Sequence, residues 1–159
     1  MANGRIKWRE DTGPAENARL RLPKLAKEYF AEVRDVLAAN PAPPELHRVR
    51  LASKQFRYTL ELFRPCYAAG LEQRIQALKQ LQDLLGECND AVASISRVDA
   101  VLRRNRVERG RIRKFLEALA AEKAQAFRKH WVEVFDASGC ENWWVRYLTR
   151  SARRPVKGK

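Results

Sequence analysis

No stretch of this 159-residue chain approaches the roughly 18 consecutive apolar residues of a membrane span. Nor does Met1-Ala2-Asn3-Gly4-Arg5 open like the apolar run of a signal peptide. A soluble, cytoplasmic protein with no membrane partner is the expectation. Cysteine and histidine are scarce: Cys66, Cys88 and Cys140 lie far apart, and His47 and His130 are the two histidines. Without C-x-x-C or H-x-x-x-H spacing, a zinc site is not expected. The three thiols read as small core hydrophobes. No Gly-rich phosphate loop and no nucleophile–base pair can be picked out, so no cofactor, metal, catalytic residue or enzymatic activity is expected. No segment alternates apolar and polar residues as a half-buried strand does.

Acidic residues are also in short supply. Nineteen Asp and Glu face 32 Lys and Arg, leaving a net charge of +13. Such an excess points to a polyanionic partner. Its distribution is uneven. Residues 47–58 hold Arg48, Arg50, Lys54 and Arg57 with no acid. Residues 103–114 carry a net +6, and residues 150–159 carry +5. Outside these three segments the chain nets −2, so the scaffold is nearly neutral and the charge is local. The chain is 45% apolar and 32% charged, which is enough to build one core and excludes wholesale disorder.

The organisation is helical throughout. Residues 1–15 mix Gly, Pro and charge without a period and read as a loose arm. Over 16–39, Leu22, Leu25, Ala26, Tyr29, Val33, Val36 and Leu37 recur at steps of three and four, predicting an amphipathic helix that Asn40-Pro41 ends. A second helix is expected over 45–64, stopped or kinked at Pro65. A third, over 71–85, carries Leu71, Ile75, Leu78, Leu81 and Leu85. After Gly86, Asn89 or Asp90 can cap a fourth with Val92, Ile95, Val98 and Leu102. Whether Gly86 redirects the chain or only permits close packing stays open. A fifth helix over 110–136 shows Ile112, Leu116, Leu119, Phe127 and Val134, with Gly139 as its stop. Trp143, Trp144, Tyr147 and Leu148 mark a short C-terminal helix, and the tail beyond Ser151 reads as disordered. The expected fold is all-α: an antiparallel bundle of about five helices plus that short one, one domain over 16–150.

The second helix has two faces. At 100° per residue, Val49, Ala52, Phe56, Leu60 and Phe63 share an arc of roughly 80°. His47, Arg50, Lys54, Arg57 and Tyr58 share another of roughly 100°, well away from the first. The polar arc is a rail of donors about 5.4 Å apart along a rod roughly 30 Å long. A phosphate chain presents anions at comparable intervals, and Arg reads phosphate oxygens through a planar fork of donors. A solvated basic face is the plainer explanation. Such a face normally interleaves acids one turn away, and none occurs between His47 and Leu60. On the fifth helix Lys123 falls inside the apolar stripe. Either it snorkels or pairs with an acid such as Asp99, or it faces an anion-filled channel. His130, near the same stripe, reads as a core histidine.

The run His47-Arg48-Val49-Arg50-Leu51-Ala52-Ser53-Lys54-Gln55-Phe56-Arg57-Tyr58 resembles the signature helix of the CHAD family, α-helical domains named for this histidine. Leu78-Lys79-Gln80-Leu81-Gln82-Asp83-Leu84-Leu85-Gly86 with Asn89-Asp90 resembles its second motif, and Arg128-Lys129-His130-Trp131 is similar to its closing helix. The resemblance spans roughly 16–136. It implies binding of inorganic polyphosphate, localisation at polyphosphate granules, and two bundles related by pseudo-twofold symmetry around a basic pore. It also implies His47, Arg50, Lys54 and Arg57 as phosphate contacts, with Lys79 beside them; Tyr58 matches the family's second repeat. Lys123 and Arg128 would join the same surface. A full member carries two such helices and this chain has one, so a homodimer rebuilding the two-repeat domain is expected. The competing reading is sequence-independent nucleic-acid binding through residues 103–114 and 150–159, weak in strength.

Overall fold

A computed structural model describes residues 8–153, and among them every regular element is helical. Helix α1 spans Pro14–Ala38, with proline in its first turn, where a missing N–H costs nothing. It ends where Asn40 takes a left-handed conformation and donates its N–H to the Leu37 carbonyl at 3.0 Å. A 3-10 turn over Pro43–Leu46 leads into α2, His47–Leu62. A second 3-10 turn at Arg64–Cys66 then hands over to α3, Ala69–Val101. Helix α4 covers Arg106–His130 and runs into a π-turn, Trp131–Phe135. Helix α5, Cys140–Arg150, closes the fold.

Two expected helices are therefore one. Helix α3 passes through Gly86 unbroken, and Asn89 and Asp90 sit in its interior rather than capping a new start. Glycine costs about 1 kcal/mol against alanine in a helix. Leu78, Leu81, Leu85, Cys88 and Ala91, all buried, keep one face in register across it, and that packing outweighs the glycine. The close-packing alternative also falls away, because a Cβ on Gly86 would meet nothing within 4 Å.

The core is rich in aromatics. Tyr29 and Phe30 of α1, Phe56 of α2, Trp131 and Phe135 of the π-turn and Trp144 of α5 are all buried. Neighbouring rings lie 4.8–6.1 Å apart, the range of favourable offset and edge contacts. Tyr29 donates to Ser53 Oγ at 2.9 Å, and that hydroxyl donates in turn to the Val49 carbonyl at 2.8 Å. This buried pair pins α1 to α2. Burial pushes the Tyr29 hydroxyl well above the ordinary tyrosine range.

Helix α4 is rotated from the face its large apolar residues suggested. Its buried positions are Ala120, Ala124 and Phe127, whereas Ile112 and Val134 are exposed and Leu116 and Leu119 half-buried. Small residues carry the contact because they let α3 and α4 approach closely, and they turn the buried arc by about 60°. Beyond Ala91 and before Ala120 these two helices form an antiparallel hairpin outside the aromatic core. Val92, Ile95, Val98 and Leu102 are only half-buried there.

Both chain ends are tied in further than expected. The Trp8 ring packs at a tilt against Phe63, centroids 5.1 Å apart, and Asn17 bonds Arg9 through both the N–H and the carbonyl of Arg9. At the other end Ala152 is buried, its carbonyl accepts from Arg19, and the Arg153 N–H donates to the Cys66 carbonyl at 2.7 Å. The expectations for residues 1–7 and 154–159 lie outside the described residues. No helix among the described residues is long and apolar enough to cross a membrane.

Candidate functional site

The apolar stripe of α2 holds Val49, Phe56 and Leu60 in the core, which turns the polar arc outward against one flank of α3. The two helices are antiparallel. His47 Nδ1–H donates to Asn89 Oδ1 at 3.0 Å near one end, and Arg64 pairs with Glu72 at 3.1 Å at the other. Between them lies an open groove of about 500 Å³ lined by Arg50 and Lys54 from α2 and by Gln82, Asp83, Gly86, Glu87 and Asp90 from α3. The α3 residues share one face by their three- and four-residue spacing. Gly86 leaves the floor bare.

The rail residues separate into distinct roles. Arg50 and Lys54 make no salt bridge among the described residues, whereas their neighbours are engaged. Arg48 turns to Glu32 of α1 at 3.0 Å, and Arg57 reaches Glu61 at 3.5 Å while stacking on the Tyr58 ring at 4.6 Å. Lys54 lies 5.9 Å from the same ring, which is 48% exposed. The bond to Asn89 fixes the His47 imidazole and leaves its Nε2 for another partner. The antiparallel register sets Lys79 opposite Arg57. Two buried donors at this face, Arg57 Nε and Gln82 Nε2, have no acceptor among the described residues, an arrangement that costs free energy unless an anion or polar group meets them.

Lys123 and Arg128 stand apart from that set. Lys123 is bound to Glu87 at 2.7 Å, not to Asp99, which pairs with Arg113 at 2.5 Å. The carboxylate holds its ammonium above the usual lysine range. Because the buried arc of α4 is rotated, this lysine lies at its margin with its side chain 29% exposed. Its contribution is to neutralise one groove carboxylate. Arg128 donates to the Pro41 carbonyl, which spends it on holding the connector before α2, and it is not among the groove residues. His130 is half-buried with Nε2 unpartnered, and desolvation lowers its pKa.

The acid-free rail of α2 acquires acids from across the groove. Asp83, Glu87 and Asp90 face Arg50 and Lys54; none of them was expected at the site, nor were Gln82 and Asn89, although all but Glu87 belong to the second motif. Their shared spacing on α3 was visible as a polar stripe, but its opposition to α2 depends on interhelical register. No group of three or more His, Cys, Asp or Glu side chains that could hold a metal forms among the described residues. The 103–114 block is remote: it occupies the hairpin tip and the first turns of α4. Arg103 lies about 20 Å beyond Asp90 along the helical rise.

A family model described as the CHAD domain matches residues 6–99, well over half of the chain. The match takes in α1, α2 and nearly all of α3, and it stops before Arg128–Trp131, so the resemblance of that closing segment gains no support from it. No curated protein and no solved structure gives a match.

With open space at its Cβ position, Gly86→Ala is expected to stabilise the fold by about 0.5–1 kcal/mol. A urea midpoint that falls instead would show that the α3 backbone at Gly86 is not the relaxed helix described.

Proposed function

This chain belongs to the CHAD family, and from that premise we propose that it binds inorganic polyphosphate along the α2 flank of the α2–α3 groove, as a binding protein and not an enzyme. The observation that carries the proposal is that Arg50 and Lys54, one helical turn apart, are left without a carboxylate partner among the described residues while Arg48, Arg57 and Lys123 nearby are paired. Two unpaired cations beside two unsatisfied donors form a site for an anion longer than one phosphate. His47, Arg57, Tyr58 and Lys79 extend it along the rail. Lys123 acts indirectly by holding Glu87, and Arg128 by holding the connector.

The acidic wall bears on selectivity. Asp83 and Asp90 oppose any polyanion that sits deep in the groove, so the ligand lies against α2 and must be slender. Two packed helices have axes only about 8–10 Å apart, and a nucleic-acid duplex cannot enter between them. The 103–114 segment, exposed and distant, supplies long-range attraction that salt screens within about 8–10 Å. Nucleic acid on that segment is the competing outcome. Residence in the cytoplasm, at polyphosphate granules, follows from the same proposal.

Pairing of two chains through an isologous interface, which would bring two signature helices together, is part of this reading. Light scattering is expected to report a dimer at micromolar concentration, and a strict monomer removes that part.

The charge arrangement makes two opposite predictions for polyphosphate affinity, measured by calorimetry near 150 mM salt. Arg50→Glu and Lys54→Glu should each weaken binding about tenfold or more, a loss of about 1.4 kcal/mol or greater. Asp83→Asn and Asp90→Asn should tighten it a few-fold by removing repulsion. Weaker binding in the Asn variants would place the polymer elsewhere. Duplex DNA that displaces polyphosphate equally well at equal phosphate concentration would replace this function with the nucleic-acid one.

A further inference from the structure

On the opposite flank of α3 from the groove, the first turn of α3 and one face of α5 enclose a second recess of about 390 Å³. Trp143, Arg146, Tyr147 and Arg150 follow one another at three- and four-residue steps along α5, and Gly70, Gln73 and Arg74 complete the wall from α3. No carboxylate lines it. Tyr147 can lie on α3 because residue 70 is glycine: a Cβ there would sit 2.6 Å from the ring. Trp143 is 52% exposed.

Arg74 is the unusual member. Only 2% of it is exposed, yet no acid pairs with it among the described residues. Its guanidinium lies between the Trp143 ring at 3.4 Å and the Tyr147 ring at 3.9 Å. It donates to the Gly70 carbonyl at 2.9 Å and the Trp143 carbonyl at 3.1 Å, and its Nε has no partner. Carbonyls and ring faces hold the group in place and still leave a full positive charge without a counter-ion. Desolvation lowers its pKa to about 10, a measure of how poorly the charge is compensated. The nearby acids are committed elsewhere: Glu72 to Arg64, and Glu141 to Arg34. An uncompensated buried charge is costly, and Arg146 and Arg150 add two more cations beside it.

We propose that this recess is a second phosphoanion site, taking a short run of linked phosphoryl groups on Arg74, Arg146 and Arg150. Three guanidiniums, Arg74 from α3 and Arg146 and Arg150 one turn apart on α5, suit several tetrahedral oxyanions better than one. The N-terminal end of the 33-residue α3 adds a favourable dipole at the same place. Because the recess and the α2 groove lie on opposite flanks of one helix, the chain is bivalent for polyanion. A long polymer held at both faces of many chains gains avidity and is cross-linked. This second site does not depend on the assignment of the first.

The test uses sodium tripolyphosphate, too short to span both faces, with calorimetric stoichiometry and tryptophan fluorescence read together on the full chain. Wild type should bind two per chain with a saturable fluorescence change. Arg146→Glu/Arg150→Glu, two exposed positions whose substitution spares the core, should bind one and lose the change, its affinity at the recess falling about tenfold or more. Trp143→Phe should lose the fluorescence change while still binding two. Arg50→Glu/Lys54→Glu should bind one and keep the change. Unaltered stoichiometry and fluorescence in Arg146→Glu/Arg150→Glu overturn the second site. One site lost from that variant and none from Arg50→Glu/Lys54→Glu upholds it and overturns the α2 assignment instead.

Discussion

Helix α3 stays continuous across Gly86 because the buried leucines before the glycine share one face with Cys88 and Ala91 after it. The groove and the recess are both flanks of that helix. One side receives α2 and makes the groove. Another receives α4 through Ala120 and Ala124 and carries Lys123 to Glu87. Its first turn supports Tyr147 and so positions α5. A break at Gly86 would separate Asn89 and Asp90 from Lys79, and His47 would lose the bond that orients its ring. Glycine at this point also keeps the groove floor empty, so a residue that looks like a stop signal serves the site by having no side chain.

Charge in this protein is informative only after pairing is counted. The net +13 is dominated by the hairpin tip and the C-terminal segment; at the tip Arg111 and Arg113 have acidic partners, and the other cations there are exposed or, at Arg109, half-buried. At the α2 groove the local balance is close to neutral, since three carboxylates face two unpaired cations and Lys123 cancels one of them. The cations that line a recess and have no acidic partner among the described residues are Arg50 and Lys54 in the groove, and Arg74, Arg146 and Arg150 beside α5. An exposed ion pair contributes little to stability, but it removes a cation from the set available to a ligand. Arg57 is intermediate, shared between Glu61 and the face of Tyr58.

Much of the fold was legible from periodicity. The stripes of α1, α2 and α3 name residues that are buried or, at Leu25, Val36, Leu37, Ala52 and Phe63, partly buried against the core, and the two faces of α2 are where the spacing put them. The errors have physical sources. Large apolar residues on α4 drew attention from the alanines that make the contact, which misplaced the buried arc and left Lys123 seemingly inward. Asn89 and Asp90 have cap chemistry, and only the unbroken stripe beneath them shows that they are interior. The acids opposite the rail belong to another helix, and spacing within one segment cannot reveal a register between two. Arg74 shows no signal in sequence at all, because its burial depends on α5 folding back over the first turn of α3.

The central claim is that polyphosphate lies on the α2 flank, against Arg50 and Lys54. Side-chain NMR of arginine Nε–H and lysine Nζ groups, titrated with polyphosphate near 150 mM salt, reads this residue by residue. Saturable shifts are expected at Arg50, Lys54 and the His47 ring, with only small, salt-sensitive changes over Arg103–Lys114. Saturable shifts confined to Arg103–Lys114, with Arg50 and Lys54 unmoved, would contradict it.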